Sequence, residues 1–186
     1  MPHGRVMERR PLGDGVRELV MLDKKHPYQD LFGNDVFWVV VKDGHPVLFD
    51  VYKRHYSFYE YKDGRRDNPA YPQRKLIFGP GQKLPMITPD GKAIIGYRNF
   101  FDASEQVGVN CNFFRNEGAF DRKILSSKLL LESGLFVRGK WGNVRLYTYV
   151  NTGQVNGDGL CFKRAGWSKC GRTKTRDLLI LEKHLT

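Results

Sequence analysis

The sequence predicts an α+β domain in which a mostly antiparallel central sheet is flanked by helices. Three observations carry this reading. Short apolar strands joined by Asp-Gly turns fill the first half, an apolar stretch at helical spacing interrupts them after Ile124, and strand patterns resume to the C-terminus. The 186 residues fit one domain, with residues 1–36 as a loosely attached N-terminal arm and residues 37–186 as the folded unit.

The arm is polar and broken by Pro and Gly, and admits one short helix around Val16 to Asp23. Phe37 to Val41, the Asp43-Gly44 turn and Val47-Leu48-Phe49 then read as a hairpin. Between Glu60 and Gln73 no period survives, which predicts a basic loop. A second hairpin runs from Lys83 to Thr88, turns at Pro89-Asp90-Gly91 and returns from Lys92 to Phe101. Val107 to Arg115 is the next strand, and Asn116-Glu117-Gly118 ends it. Leu125, Leu129 and Phe136 recur at helical spacing over Ile124 to Val137, with Ser126 or Ser127 as cap and Gly139 or Gly142 as stop. Arg145 to Val150 is a strand with alternating tyrosines, Leu160 to Ala165 a short helix closed by Gly166, and Trp167 to Arg172 and Leu178 to Lys183 two final strands.

Lys and Arg number 31 against 20 Asp and Glu, a formal charge of +11 that favours a polyanionic partner, nucleic acid first. Cys111, Cys161 and Cys170 form no CxxC pair, so no zinc finger and no metal site is expected. The uneven cysteine count and the lack of an apolar signal segment point to a reducing cytoplasm, and no stretch is apolar enough to cross a bilayer.

Several residue types suit chemistry. His55 and Tyr56 supply an imidazole and a phenol for proton transfer, although a surface His beside a buried Tyr fits equally. If a strand precedes them, they point to opposite sides and only one faces a pocket. Arg115 at a strand end would grip phosphate or carboxylate, or else pair with Glu117 or Asp121. Asn110 and Asn112 alternate with Cys111 and would share one face with Phe114, as a wall able to read a base edge or as solvent-facing amides. Lys62, Arg65, Arg66 and Arg74, interleaved with Tyr59, Tyr61 and Tyr71, combine phosphate neutralisation with stacking; Lys169, Arg172 and Lys174 belong to a second basic cluster.

The element order from Lys83 onward resembles the core of the GNAT acyltransferases. Arg115-Asn116-Glu117-Gly118 is similar to the start of that family's pyrophosphate loop, with Phe120 where the family places Gly or Ala, and Phe162-Lys163-Arg164-Ala165-Gly166-Trp167 is similar to its helix-ending motif, with Phe162 where many members carry an acid Tyr. The resemblance implies an acyl donor such as acetyl-CoA held at Arg115, Asn116, Glu117 and Gly118. A narrower resemblance lies in Arg54-His55-Tyr56-Ser57, Phe114 to Gly118, Arg145 to Val150 and Cys161 to Trp167. These patches look like the phage-borne Mom-type DNA-modification proteins, which alter adenine. That likeness implies transfer of an acyl-type group to adenine N6 in duplex DNA, with the base flipped out. His55, Tyr56, Arg115 and Asn151 would be catalytic, and Ser57, Asn110, Asn112 and Tyr149 would hold the substrate. Asn151 and Leu160 stand where relatives tend to carry Asp and Tyr. An acetyl-CoA-dependent N-acetyltransferase acting on a small amine or protein, and a non-catalytic DNA-binding relative, are the alternatives.

Overall fold

The structure is a computed structural model and describes residues 28–29, 35–58, 76–101 and 106–186. The Val16 to Asp23 helix and the 60–73 loop lie outside these residues. Strands β1 (Tyr28–Gln29) and β2 (Asp35–Val36) pair with each other. The main sheet contains β3 (Val39–Val40), β4 (Gln82–Ile87), β5 (Ala93–Asn99), β6 (Val109–Asn116), β7 (Arg145–Val150), β8 (Ser168–Arg172) and β9 (Leu179–His184). Its spatial order is β3-β4-β5-β6-β7-β9-β8, and every pair is antiparallel except β6 with β7. The α+β class and the second hairpin therefore stand as read from the sequence.

The first hairpin is corrected. Val47 to Phe49 belongs to helix α1 (Pro46–Tyr52), not to a strand. Pro46 has no N–H to give a ladder, and its fixed φ suits a first helical position. Leu48 and Val51, three apart, bury one face of α1 against the sheet. The Asp43 carboxylate, accepting from the Ile77 N–H at 2.8 Å and from Lys83 at 3.0 Å, ties the Asp-Gly turn to neighbouring segments.

Helices α2 (Ser126–Trp141) and α3 (Leu160–Arg164) cover the opposite face, where Trp38, Met86, Tyr97, Leu129, Leu146 and Leu181 are buried together. Two buried hydrogen bonds fix α2 on the sheet. The Trp38 indole donates to the Leu129 carbonyl at 2.8 Å, and Tyr97 meets the Ser133 hydroxyl at 2.8 Å. Neither Ser126 nor Ser127 caps α2; the N-cap is Leu125, while Gly142, at φ 76°, ends the helix as expected. Phe120, Asp121 and Arg122 all have positive φ, so a left-handed turn separates β6 from α2. Burial of Phe120 against Phe37 holds it there.

Two irregularities open the sheet. In the β5–β6 ladder Gly96 faces Phe113 and Tyr97 faces Cys111, which leaves Asn112 as a bulge. Gly96 is required there because the Phe78 and Phe113 rings occupy the space of its missing Cβ. The parallel β6–β7 pair is registered only at Val109 with Leu146 and Asn110 with Tyr147. Beyond that point the strands diverge, and the Thr148 hydroxyl spans the opening by donating to the Cys111 carbonyl at 2.9 Å. Among the described residues no helix is long and apolar enough to cross a membrane.

Candidate functional site

A cavity of about 370 Å³ lies where β6 and β7 part. Asn112 and Phe114 form one wall, Tyr149 and Val150 the other, and Ser126, Ser127, Cys161 and Phe162 close it from α2 and α3. His55 and Tyr56 complete the lining. Because α1 replaces the expected strand, the chain leaves it through a turn, and both side chains face one cavity. Four segments far apart in sequence thus converge: Arg54 to Ser57, Phe114 to Gly118, Arg145 to Val150 and Cys161 to Trp167 each give the cavity at least one residue.

The imidazole of His55 is 5% exposed and held at Nδ1. Nδ1 accepts from the Ser57 N–H at 3.1 Å and lies 2.7 Å from the Ser57 hydroxyl, and the ring lies against the Phe114 carbonyl. Burial and then the nearby Arg115 charge lower its pKa to about 4, against the smaller upward pull of the Phe114 carbonyl. His55 is therefore neutral at physiological pH. Tyr56 stacks on that ring at 4.3 Å and sends its hydroxyl across to β7, 3.5 Å from the Tyr149 carbonyl, with the Asn151 N–H facing its oxygen. Burial raises the phenol pKa, so it stays protonated, a donor in place beside the gap. Cys161, across the cavity, is kept a thiol by burial.

The bulge at Asn112 breaks the alternation expected from Asn110 to Phe114. Asn112, Phe113 and Phe114 all border the cavity, with the Phe113 ring also packed on the α1 side, whereas Asn110 is buried away from it. The carboxamide oxygen of Asn151 closes a turn by accepting from the Gly153 N–H at 3.1 Å, so Asn151 reaches Tyr56 through its backbone. Ser57 is exposed and touches the site through His55.

Arg115, Asn116, Glu117 and Gly118 lie beside this cavity and border a second, open depression with Arg122 and Ser126. They do not fit a pyrophosphate. The Gly118 and Ala119 N–H groups already donate to the Asn116 carboxamide at 3.0 and 2.8 Å, and the Phe120 N–H to Asp90 at 2.5 Å. The left-handed turn also keeps the loop from running straight into a helix N-terminus. Arg115 itself donates to Glu117 at 2.6 Å, the ion-pair alternative visible in the sequence, while Asp121 pairs with Lys92.

Lys169, Arg172 and Lys174 are exposed, the first two on edge strand β8, and Arg172 pairs with Asp177 at 2.8 Å. Lys62, Arg65, Arg66 and Arg74 lie outside the described residues. No group of three or more His, Cys, Asp or Glu side chains suited to a metal ion occurs among the described residues. Sequence reading missed Thr148, Cys161 and the α2 start as parts of the site. Arg54 was present only as a neighbour of His55. No protein-family model matches the chain, and no curated protein matches it either.

Proposed function

We propose that this chain is a DNA base-modifying enzyme on a GNAT-like scaffold, transferring an acyl-type group to an exocyclic amine, adenine N6, in duplex DNA. The observation that supports this most is the convergence of the four Mom-like patches on one cavity. Its size, about 370 Å³, and its aromatic walls suit a small planar ligand. The formal charge of +11 supports a polyanion as the carrier of that ligand.

A base amine inside the duplex must leave the stack before it can react. The amine nitrogen then bonds to the carbonyl carbon of an activated acyl donor, and the bond from that carbon to its leaving group breaks. The nitrogen loses one proton and the leaving group gains one. Tyr56, protonated and within the cavity, gives the leaving group its proton and recovers the one shed by nitrogen. His55 holds the phenol by stacking, and Asn112 and Tyr149 flank the base. The 115–118 loop does not anchor the donor in this reading.

Mass spectrometry of nucleosides from DNA co-expressed with the protein tests the proposal. A deoxyadenosine of acyl-shifted mass is the expected result, together with DNA binding that weakens steeply from low to moderate salt. Acetyl-CoA turnover on a small amine or protein, with unmodified DNA, would instead make this a conventional N-acetyltransferase. Salt-dependent binding without any modified nucleoside would leave a non-catalytic DNA-binding protein, and salt-independent binding would remove DNA as the electrostatic partner.

A further inference from the structure

We propose that Glu117 is the positioning residue of this site: through Arg54 it clamps the turn bearing His55 and Tyr56 onto the outgoing end of β6. The assignment rests on the reading above for its catalytic consequence, and on geometry alone for the clamp.

The Arg54 guanidinium forks onto Glu117, Nε to Oε1 at 2.9 Å and Nη2 to Oε2 at 2.8 Å. Its remaining nitrogen donates to Asp50 on α1 at 2.8 Å, which fixes the side chain at its own end. Arg115 Nε adds a third bond to the same carboxylate at 2.6 Å. The backbone of Glu117 is itself anchored, its N–H donating to the Lys92 carbonyl at 2.8 Å. A two-point Arg fork onto a carboxylate that a second guanidinium also holds differs from an isolated surface pair, because it fixes direction as well as distance.

The clamp explains why Arg115 is occupied in a loop whose N–H groups are also occupied. It also explains how Tyr56 reaches β7. Arg54 docks on Glu117, His55 on the Phe114 carbonyl, and Tyr56 extends from these two fixed neighbours toward Tyr149 and Asn151. With the fork gone, the turn keeps the His55 contact and the Tyr52–Phe113 ring contact at 4.9 Å, but loses its outer tie to β6.

The test follows the His55 imidazole by nitrogen NMR across pH in the full chain, parent against Glu117→Ala. The groups around that ring are Arg115, Tyr52, Tyr56, Ser57 and the Phe114 carbonyl. If Glu117 holds the turn, its removal lets water reach the ring, and the titration midpoint moves from about 4 toward the ordinary 6.5. If Glu117 acts only as a charge, its loss leaves two guanidiniums less neutralised, and the midpoint stays or falls, which overturns the proposal. Arg54→Lys keeps the charge and cannot make the fork. It should move the midpoint in the same upward direction, and an unmoved midpoint there refutes the clamp even if Glu117→Ala fails to fold. This readout needs no activity, so it decides the clamp whether or not the protein modifies DNA. Where the parent does modify DNA, Glu117→Ala should lower turnover at least about tenfold with DNA affinity retained, because misplacing a proton donor costs rate more than binding. A parental rate with a shifted midpoint would overturn the positioning role.

Discussion

Tyr56→Phe is expected to lower the rate of nucleoside modification about a hundredfold or more, the range that loss of a placed proton donor costs, while DNA affinity and folding stay at parental values. The substitution deletes one hydroxyl and keeps the ring that stacks on His55 at 4.3 Å. That hydroxyl makes only a long contact, 3.5 Å, to the Tyr149 carbonyl, so little structural stabilisation leaves with it. Its protonated state is secured by burial, and it lies over the opening between β6 and β7. Single-turnover formation of the modified nucleoside, measured beside duplex affinity, separates chemistry from binding. An unchanged rate would take Tyr56 out of the chemistry and leave other protic groups of the cavity, Tyr149, Cys161, Ser126 and Ser127 among them, to be tested in turn.

The strands were legible where alternation and turn chemistry agreed. Pro89-Asp90-Gly91 between two alternating runs gave the β4–β5 hairpin, and the 3.6-residue spacing after Ile124 gave α2. Val47 to Phe49 misled because a three-residue apolar run has no distinguishable period, and Asp43-Gly44 supplied a hairpin signal. Pro46 was the available correction. A proline opening an apolar run favours a helix start over a strand interior, and the spacing of Leu48 and Val51 extends that reading. The left-handed turn at Phe120 to Arg122 had no local signal, since Phe and Arg are poor residues for positive φ and the turn is fixed by long-range contacts, burial of Phe120 and its N–H bond to Asp90 among them.

The cavity residues were half legible for the same reason. Sequence alternation places Asn110 and Asn112 on one face, but a bulge resets alternation, and nothing local to Asn112 announces it. The signal lies on the partner strand, where Gly96 interrupts an otherwise apolar run, a mark of close approach by other groups. The residue type and strand-end position of Arg115 suit a phosphate grip. The sequence also offered Glu117 two residues on, and the carboxylate wins because Arg54 converges on it from the turn after α1, a long-range contact that spacing cannot reveal.

The parent protein and His55→Gln should diverge in stability as pH rises from 4 to 7. His55 has a folded pKa of about 4 and an ordinary value near 6.5 when unfolded. Between those two values the unfolded chain carries a proton on His55 that the folded chain does not, so folding stability rises with pH across the window and is lost as pH falls through it. The gap corresponds to on the order of 3 kcal/mol for this deeply buried ring. Glu132 acts with the opposite sign. Burial raises its carboxyl to about 7, against the Phe37 N–H bond that lowers it, so its contribution favours the folded state as pH falls. The two effects offset each other in the parent, and a flat stability curve near pH 5 to 6 would therefore say nothing about His55 alone. Subtracting the curve of His55→Gln cancels Glu132, which lies on α2. Urea unfolding at pH 4, 5.5 and 7 should show the parent gaining on the variant by about 3 kcal/mol over that range, with no further gain above pH 7. A difference that is flat from pH 4 to 7 would mean that the imidazole titrates alike folded and unfolded, and that His55 is not the buried ring on which the placement of Tyr56 depends.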